Sequence, residues 1–328
     1  MRALVVSNMR PDGVSPERGR FVRDQVAALR RIEGLDVELC EFAPGPRELT
    51  RAYAQLRRRF RSSRAPGAPP GGSSPRFDVV HAHFGLTAWA ARAVPARVRA
   101  LTLHGTDVRH PRTRLLTLAA LPFIDVLGTA SSSLAQQLPL RSARRRAQVL
   151  PCGVDMERFG PLDRARARSE LGLHPERPYL LFPADPARRE KRHDRALALA
   201  QACDAELLVL GGVEPLTVPL WVNAANAVLV PSEREGFGLA VLEALACDVP
   251  VLATPVGVHA EALDGIEGSL CAPFEPASWR TALTPHLQAA DPRVQGRGRA
   301  QRYSSTAMAE RVAAAWRAAL QRSAEPSG

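Results

Sequence analysis

Short, nearly continuous apolar runs alternate with segments of helical periodicity along the whole chain. In the first half the runs fall at 3–7, 37–42, 77–81, 100–103, 124–128 and 148–150. In the second they fall at 179–183, 206–210, 227–230, 250–253 and 269–271. Between them lie amphipathic stretches such as 16–31, where Phe21, Val22, Val26 and Leu29 share one face, and others at 163–171, 191–203 and 239–247. Runs with no polar alternation predict strands buried on both faces, and the interleaved helices predict parallel sheets covered on each side. Two such series predict two doubly wound α/β domains, 1–150 and 151–304, meeting near the turn-rich Pro151-Cys152-Gly153-Val154-Asp155. The stretch 61–75 is low-complexity in Ser, Pro, Gly and Arg and reads as a mobile loop, and residues 323–328 read as a frayed end. In doubly wound sheets ligands bind at the carboxyl ends of the strands, so the site is expected in a cleft between the two domains.

Composition narrows the class. Apolar residues make up 45% of the 328, enough for two cores. The five cysteines include no CxxC pair, which disfavours a disulfide framework or a zinc site and fits a reducing cytosol. The apolar opening Ala3-Leu4-Val5-Val6 is too short for a signal-peptide core, and no run is long enough to span a bilayer. The net charge of +11 is unevenly spread. Residues 1–150 hold 25 Arg against 11 acids, a balance of +14, and the remainder carries −3. Of the 44 basic residues, 43 are Arg, which reads as compositional bias and singles out the one lysine, Lys191.

The chemistry concentrates after the predicted strands. After 227–230 comes Pro231-Ser232-Glu233-Arg234-Glu235-Gly236-Phe237-Gly238-Leu239, with Glu243 one turn into the following helix. Gly236 and Gly238 permit close approach to the backbone. The helix start offers free N–H groups and a positive dipole end to an anion such as a diphosphate. Carboxylates cannot ligate phosphate, so Glu235 and Glu243 suit the hydroxyls of a sugar and a ribose on either side of it. After 179–183 comes Ala184-Asp185-Pro186-Ala187-Arg188-Arg189-Glu190-Lys191-Arg192, a cation cluster able to neutralise a departing diphosphate. After 100–103 comes His104-Gly105-Thr106-Asp107, and after the first strand a loop containing Gly19.

The Glu235-x7-Glu243 spacing resembles the E-x7-E motif of the retaining glycosyltransferases of family 4, which have the GT-B fold: two Rossmann-like domains facing across a cleft. The resemblance covers nearly the whole chain. It implies that Glu235 contacts the donor sugar, that Glu243 binds the ribose, and that the backbone at Gly236, Phe237, Gly238 and Leu239 reaches the sugar and phosphates. The family grips the diphosphate with an Arg and a Lys. The commonest spacing would put that Arg at Pro186, so the loop is more similar to that of teichuronic-acid biosynthesis glycosyltransferases, which pairs Arg188 with Lys191 and leaves Arg189 as the alternative. His104 matches the family's His-Gly-Ser/Thr-Asp stretch near the transferred sugar. Asp107 either orients that loop or meets the acceptor, and His81 and His83 match a His-x-His stretch read as structural or acceptor-side. Gly19 matches the glycine of a loop that closes over the diphosphate. The resemblance further implies that helices near 305–322 pack back on the N-terminal domain.

The expectation is therefore a hexosyl transfer from a UDP-, GDP- or ADP-sugar to a glycan or lipid-linked acceptor in cell-envelope polysaccharide synthesis, with retention and no cofactor. The chain has no Asp-x-Asp, so no metal is expected; it also lacks G-x-G-x-x-G after the first strand and any Walker-type lysine. The basic half suggests an anionic acceptor or peripheral contact with an anionic membrane at Arg57-Arg58-Arg59-Phe60-Arg61, with Phe60 as a shallow apolar contact. A nucleic-acid-binding role is disfavoured, because aromatics are only 5% and no stacking motif is present. A non-catalytic donor-binding subunit is the other alternative, against which the intact glutamate pair speaks.

Overall fold

A computed structural model describes residues 1–13, 15, 18–61 and 77–324. The loop expected at 61–75 lies outside the described residues apart from its first position, as does the end of the chain from 325. The chain forms two compact units, Met1–Gly153 with Thr306–Gly328, and Val154–Ser305.

The first unit holds a six-stranded sheet: β1 (Arg2–Ser7), β2 (Asp36–Glu41), β3 (Phe77–His83), β4 (Ala96–Leu103), β5 (Val126–Thr129) and β6 (Gln148–Val149). Their spatial order is β2-β1-β3-β4-β5-β6, every pairing parallel. The second holds β7 (Tyr179–Phe182), β8 (Glu206–Val209), β9 (Ala227–Val230), β10 (Val251–Ala253) and β11 (Leu270–Cys271), in the order β11-β10-β9-β7-β8, again all parallel. All eleven apolar runs are strands. The continuous runs are explained by burial on both faces: Ala3, Leu4, Val5 and Val6 are each at 0% exposure, with a separate core on each side of the sheet.

The Ser305–Ala324 helix belongs to the first unit's core. Its Met308, Val312 and Trp316 repeat every four residues and form one buried stripe. The Trp316 ring meets His81 of β3 edge-on, with centroids 5.5 Å apart. In the second unit Trp279 and Leu283 of the Pro276–Gln288 helix close one core over Leu180 and Phe182. β8 is an edge strand, and only a short segment separates it from the Val218–Ala224 helix.

One expectation fails. Phe60 does not face solvent: it is buried beside Phe77, with ring centroids 5.3 Å apart, in a stripe with Ala52 and Leu56. It anchors the Pro46–Arg61 helix to the sheet and is unavailable to a membrane. Arg57, Arg58 and Arg59 are exposed around it, and Arg59 reaches Glu38 at 3.0 Å.

Candidate active site

In the second unit two strand-following loops are pinned together. The backbone N–H of Glu233, after β9, donates to the carbonyl of Glu190, after β7, at 2.9 Å. This contact sets Lys191 against Glu235. Lys191 Nζ lies 2.7 Å from Glu235 Oε1 and 2.6 Å from Oε2, and Ser232 Oγ donates to Oε1 at 2.8 Å. The side chains are 14% and 7% exposed, so the pair is largely out of water. Burial alone would raise the Glu235 carboxyl. The charge of Lys191, then His259, and the hydrogen bonds from Lys191 and Ser232 outweigh burial and hold it below the usual carboxylate range.

The Leu239–Ala246 helix begins directly after this pair. Gly238 caps it at φ 103, where a side chain is strained, and a Cβ there would stand 2.4 Å from His259 Nε2. Gly257, at φ +63, leaves equally little room, since its Cβ would meet the Phe237 carbonyl at 2.3 Å and Glu235 Cβ at 2.9 Å. Gly236 and Leu239 are half-buried. Phe237 is buried against Tyr303, its carbonyl held by the N–H of Val258 at 2.7 Å. Glu243 projects from the helix half-buried, with Arg158 Nη2 at 3.9 Å from Oε1. His259 is fully buried; its Nδ1 bonds the Thr254 carbonyl at 2.9 Å, and burial lowers its imidazole from the ordinary range against the opposing pull of the Glu235 carboxylate.

The two candidate arginines take different places. Arg188 folds onto Glu190, with Nη2 2.9 Å from Oε1, on an exposed side chain. Arg189 opens the Arg189–Lys191 turn of 3-10 helix and is exposed.

In the first unit the strand ends gather histidines. His81 and His83 alternate along β3 and therefore point to one face, their rings stacked at 4.8 Å. His83 Nδ1 lies 2.9 Å from His104 Nε2, and His83 Nε2 lies 2.7 Å from Gln25 Oε1 of the Arg20–Arg30 helix. Phe21 and Phe84 enclose the His104 ring at 4.9 and 4.6 Å. Burial drives His83 down to about 3 and holds His104 well below the ordinary range, with His83 adding to the effect on His104, so both are neutral at physiological pH. Asp107 is buried and turned inward: its carboxylate accepts the N–H groups of Gly105 at 2.8 Å and His104 at 3.1 Å. Gly19 caps the Arg20–Arg30 helix at φ 70, and a Cβ there would meet the Met9 carbonyl at 2.3 Å.

A family model described as Glycosyltransferase Family 4 matches residues 1–158, and one described as Glycosyl transferases group 1 matches residues 184–288. The D-inositol 3-phosphate glycosyltransferase of Mycolicibacterium gilvum is 31% identical over 339 residues, covering 87% of this chain and 71% of that protein. The chain belongs to glycosyltransferase family 4.

The enzyme of the same name from Actinosynnema mirum is 34% identical over 275 residues, 65% of this family-4 chain and 66% of its own length. The chain thus spans about two thirds of the length of the curated relatives it matches. The GT-B fold is shared with sucrose-phosphate synthase of Thermosynechococcus elongatus, at a TM-score of 0.69 and 18% identity over 98% of this chain and 100% of that one. It is shared also with Anabaena HepE in complex with UDP-glucose, at 0.68 and 15% over 97% and 100%.

Within the second unit, the structure brings Lys191, Glu235 and Gly238 together at the start of the Leu239–Ala246 helix. Sequence reasoning gave no role to Ser232, His259, Gly257 or, in the first unit, Gln25. Gly257 alone carried a signal, as a glycine in the loop that follows β10. A buried glutamine on an amphipathic helix looks like any polar residue at the edge of the apolar face.

Proposed function

We propose that this protein transfers a sugar from a UDP-sugar to an anionic acceptor, with retention of configuration and without a metal. The observation that carries this reading is the Lys191–Glu235 pair directly ahead of the Leu239–Ala246 helix start. A buried lysine, free N–H groups and a carboxylate in one place match the needs of a sugar diphosphate. The cation and the helix start suit the diphosphate, and the carboxylate suits sugar hydroxyls. Glu243, further along the helix, suits the ribose. The solved complex of HepE with UDP-glucose supports UDP as the nucleotide.

The bond from the anomeric carbon to the diphosphate oxygen breaks, and negative charge builds on the leaving UDP. Lys191, with Arg188 or Arg189, and the helix N–H groups stabilise that charge. The acceptor hydroxyl attacks the same face of the sugar and forms the new glycosidic bond. Its proton passes to the leaving phosphate oxygen, so no side-chain base is required. In the free protein Lys191 is engaged by Glu235; donor binding gives the ammonium a phosphate and gives the carboxylate sugar hydroxyls.

The acceptor reading rests on charge. The relatives are named for D-inositol 3-phosphate, a small anionic polyol phosphate, and residues 1–150 carry +14. A lipid-linked glycan at an anionic membrane is a second reading, favoured by the exposed Leu115 and Leu116 in the same half. The first test is a thermal-shift panel of UDP-, GDP- and ADP-sugars. A UDP-sugar should raise the Tm most, and no response to any of the three would overturn the donor assignment.

A further inference from the structure

The histidines of the first unit form a chain with a direction. His83 Nε2 faces Gln25 Oε1 at 2.7 Å. A carbonyl oxygen only accepts, so His83 carries its proton on Nε2. A neutral imidazole has one N–H, which leaves His83 Nδ1 as a lone pair. His104 Nε2 lies 2.9 Å from that lone pair and must donate to it. The proton of His104 is thereby fixed on Nε2, and its Nδ1 is left with no proton to give.

We propose that Gln25 and His83 are positioning residues that lock His104 in the Nε2–H tautomer, so that its Nδ1 presents an acceptor-only face to a hydroxyl of the bound sugar. This rests on the reading of His104 as a donor-sugar contact. The surroundings hold the relay in place. Gln25 is buried on the Arg20–Arg30 helix, and His83 is buried beneath the stacked rings. The His104 ring is clamped between Phe21 and Phe84. Its backbone is tied down by Asp107. Both rings are neutral, as one-proton bookkeeping requires.

The consequence is a chemical filter. A lone pair accepts from a hydroxyl but repels a carboxylate or a phosphate. The site therefore selects a sugar with a neutral hydroxyl facing His104 and rejects its uronate counterpart.

The test uses the full chain with 15N-labelled histidine and long-range 1H–15N correlation spectra, in which the two tautomers give distinct patterns. Both His83 and His104 should show the Nε2–H form without ligand. Finding Nδ1–H on either, as rotation of the Gln25 amide would impose, overturns the relay. Gln25→Leu should mix the tautomers and lower kcat/KM for UDP-glucose by about tenfold, the scale of one neutral hydrogen bond. Gln25→Glu keeps an acceptor facing His83 and should restore the Nε2–H form. Failure of Gln25→Glu to do so counts against the relay. Saturating UDP-glucose, compared with UDP, should shift His104 Nδ1 alone. The expected tautomers with an unmoved Nδ1 would leave the relay standing and overturn the sugar contact.

Discussion

Lys191 Nζ reaches both oxygens of Glu235, at 2.7 and 2.6 Å, where the two side chains are 14% and 7% exposed. The ammonium offsets the cost of burying the carboxylate, and the carboxylate keeps the only lysine in the chain pointed into the site. Lys191→Ala leaves Glu235 buried without its cation. Removing one partner of a buried pair costs about 3–5 kcal/mol, discounted here because the lysine retains some exposure. The chemical step should also slow by about 10²–10³, the range for one charge-stabilising donor. Single-turnover kinetics at saturating donor check this, and an unchanged rate would make Lys191 a structural ion-pair partner alone.

The same pair fixes a pH dependence. The Glu235 carboxyl is held below its ordinary range in the folded state, so the unfolded chain binds its proton first as pH falls. The stability gained is complete above the ordinary carboxylate pKa and is lost as pH falls through the depressed folded value. In Lys191→Ala the main cause of depression is gone and burial raises the carboxyl instead. The Tm gap between wild type and variant should therefore be widest at neutral pH and close toward pH 3. A gap constant from pH 7 to pH 3 would contradict the coupling.

Glu235 and Glu243 should separate kinetically. Glu235→Gln keeps the shape but removes the charge opposite Lys191, and should lower kcat more than it alters UDP affinity. Glu243→Ala removes the proposed ribose contact and should weaken UDP binding itself by about tenfold or more, the loss expected for a hydrogen bond to a charged group. Calorimetry with UDP alone distinguishes the two, since UDP has a ribose and no transferable sugar. Equal losses in both variants would undo the division of roles.

Gly238→Ala should be among the most damaging small changes. Its φ of 103 suits glycine, and the added methyl carbon would stand 2.4 Å from the ring of fully buried His259. A non-glycine residue in such backbone costs about 1–3 kcal/mol before any clash. The helix start would be displaced, so UDP binding should fall with stability. Gly13→Ala, with nothing within 4 Å of its Cβ, is the control and should melt like wild type.

Much of this was legible because apolar runs without alternation mean strands buried on both faces, and all eleven runs are strands. The loops after β7 and β9 announced themselves because charged residues and glycines cluster where the runs stop. Phe60 was misread for a specific reason. Among arginines it looks like a surface aromatic, yet Ala52, Leu56 and Phe60 repeat at four-residue intervals, a helical stripe that predicts burial. Ser232 bonds Glu235 only three residues on, but a serine in a loop carries no mark of that contact, and Gln25 was not legible because its role comes from a long-range neighbour. Gln25 meets His83 across 58 positions, and no local spacing encodes that contact.

The acceptor prediction follows from the charge of the first half. Residues 1–150 carry +14, and many of their arginines sit on exposed positions of the Pro46–Arg61 and Arg141–Arg146 helices. Attraction between exposed charges is screened within about 8 Å at physiological salt, so an anionic acceptor should bind more weakly as ionic strength rises. Transfer from UDP-glucose, or whichever UDP-sugar the thermal panel selects, should be measured with D-inositol 3-phosphate and with free inositol. The phosphate ester should be used with the lower KM, and that KM should climb between 50 and about 500 mM salt while kcat holds. A membrane acceptor predicts a different result. The protein would co-sediment with anionic vesicles at low salt, each basic residue near the surface contributing about 1 kcal/mol, and would leave them at high salt. With Phe60 in the core, such binding has no aromatic anchor in the arginine-rich stretch, and its apolar part falls to the exposed Leu115 and Leu116. Equal use of phosphorylated and free inositol, with no vesicle binding at low salt, would remove the anionic acceptor from the proposal and leave the basic half to compositional bias.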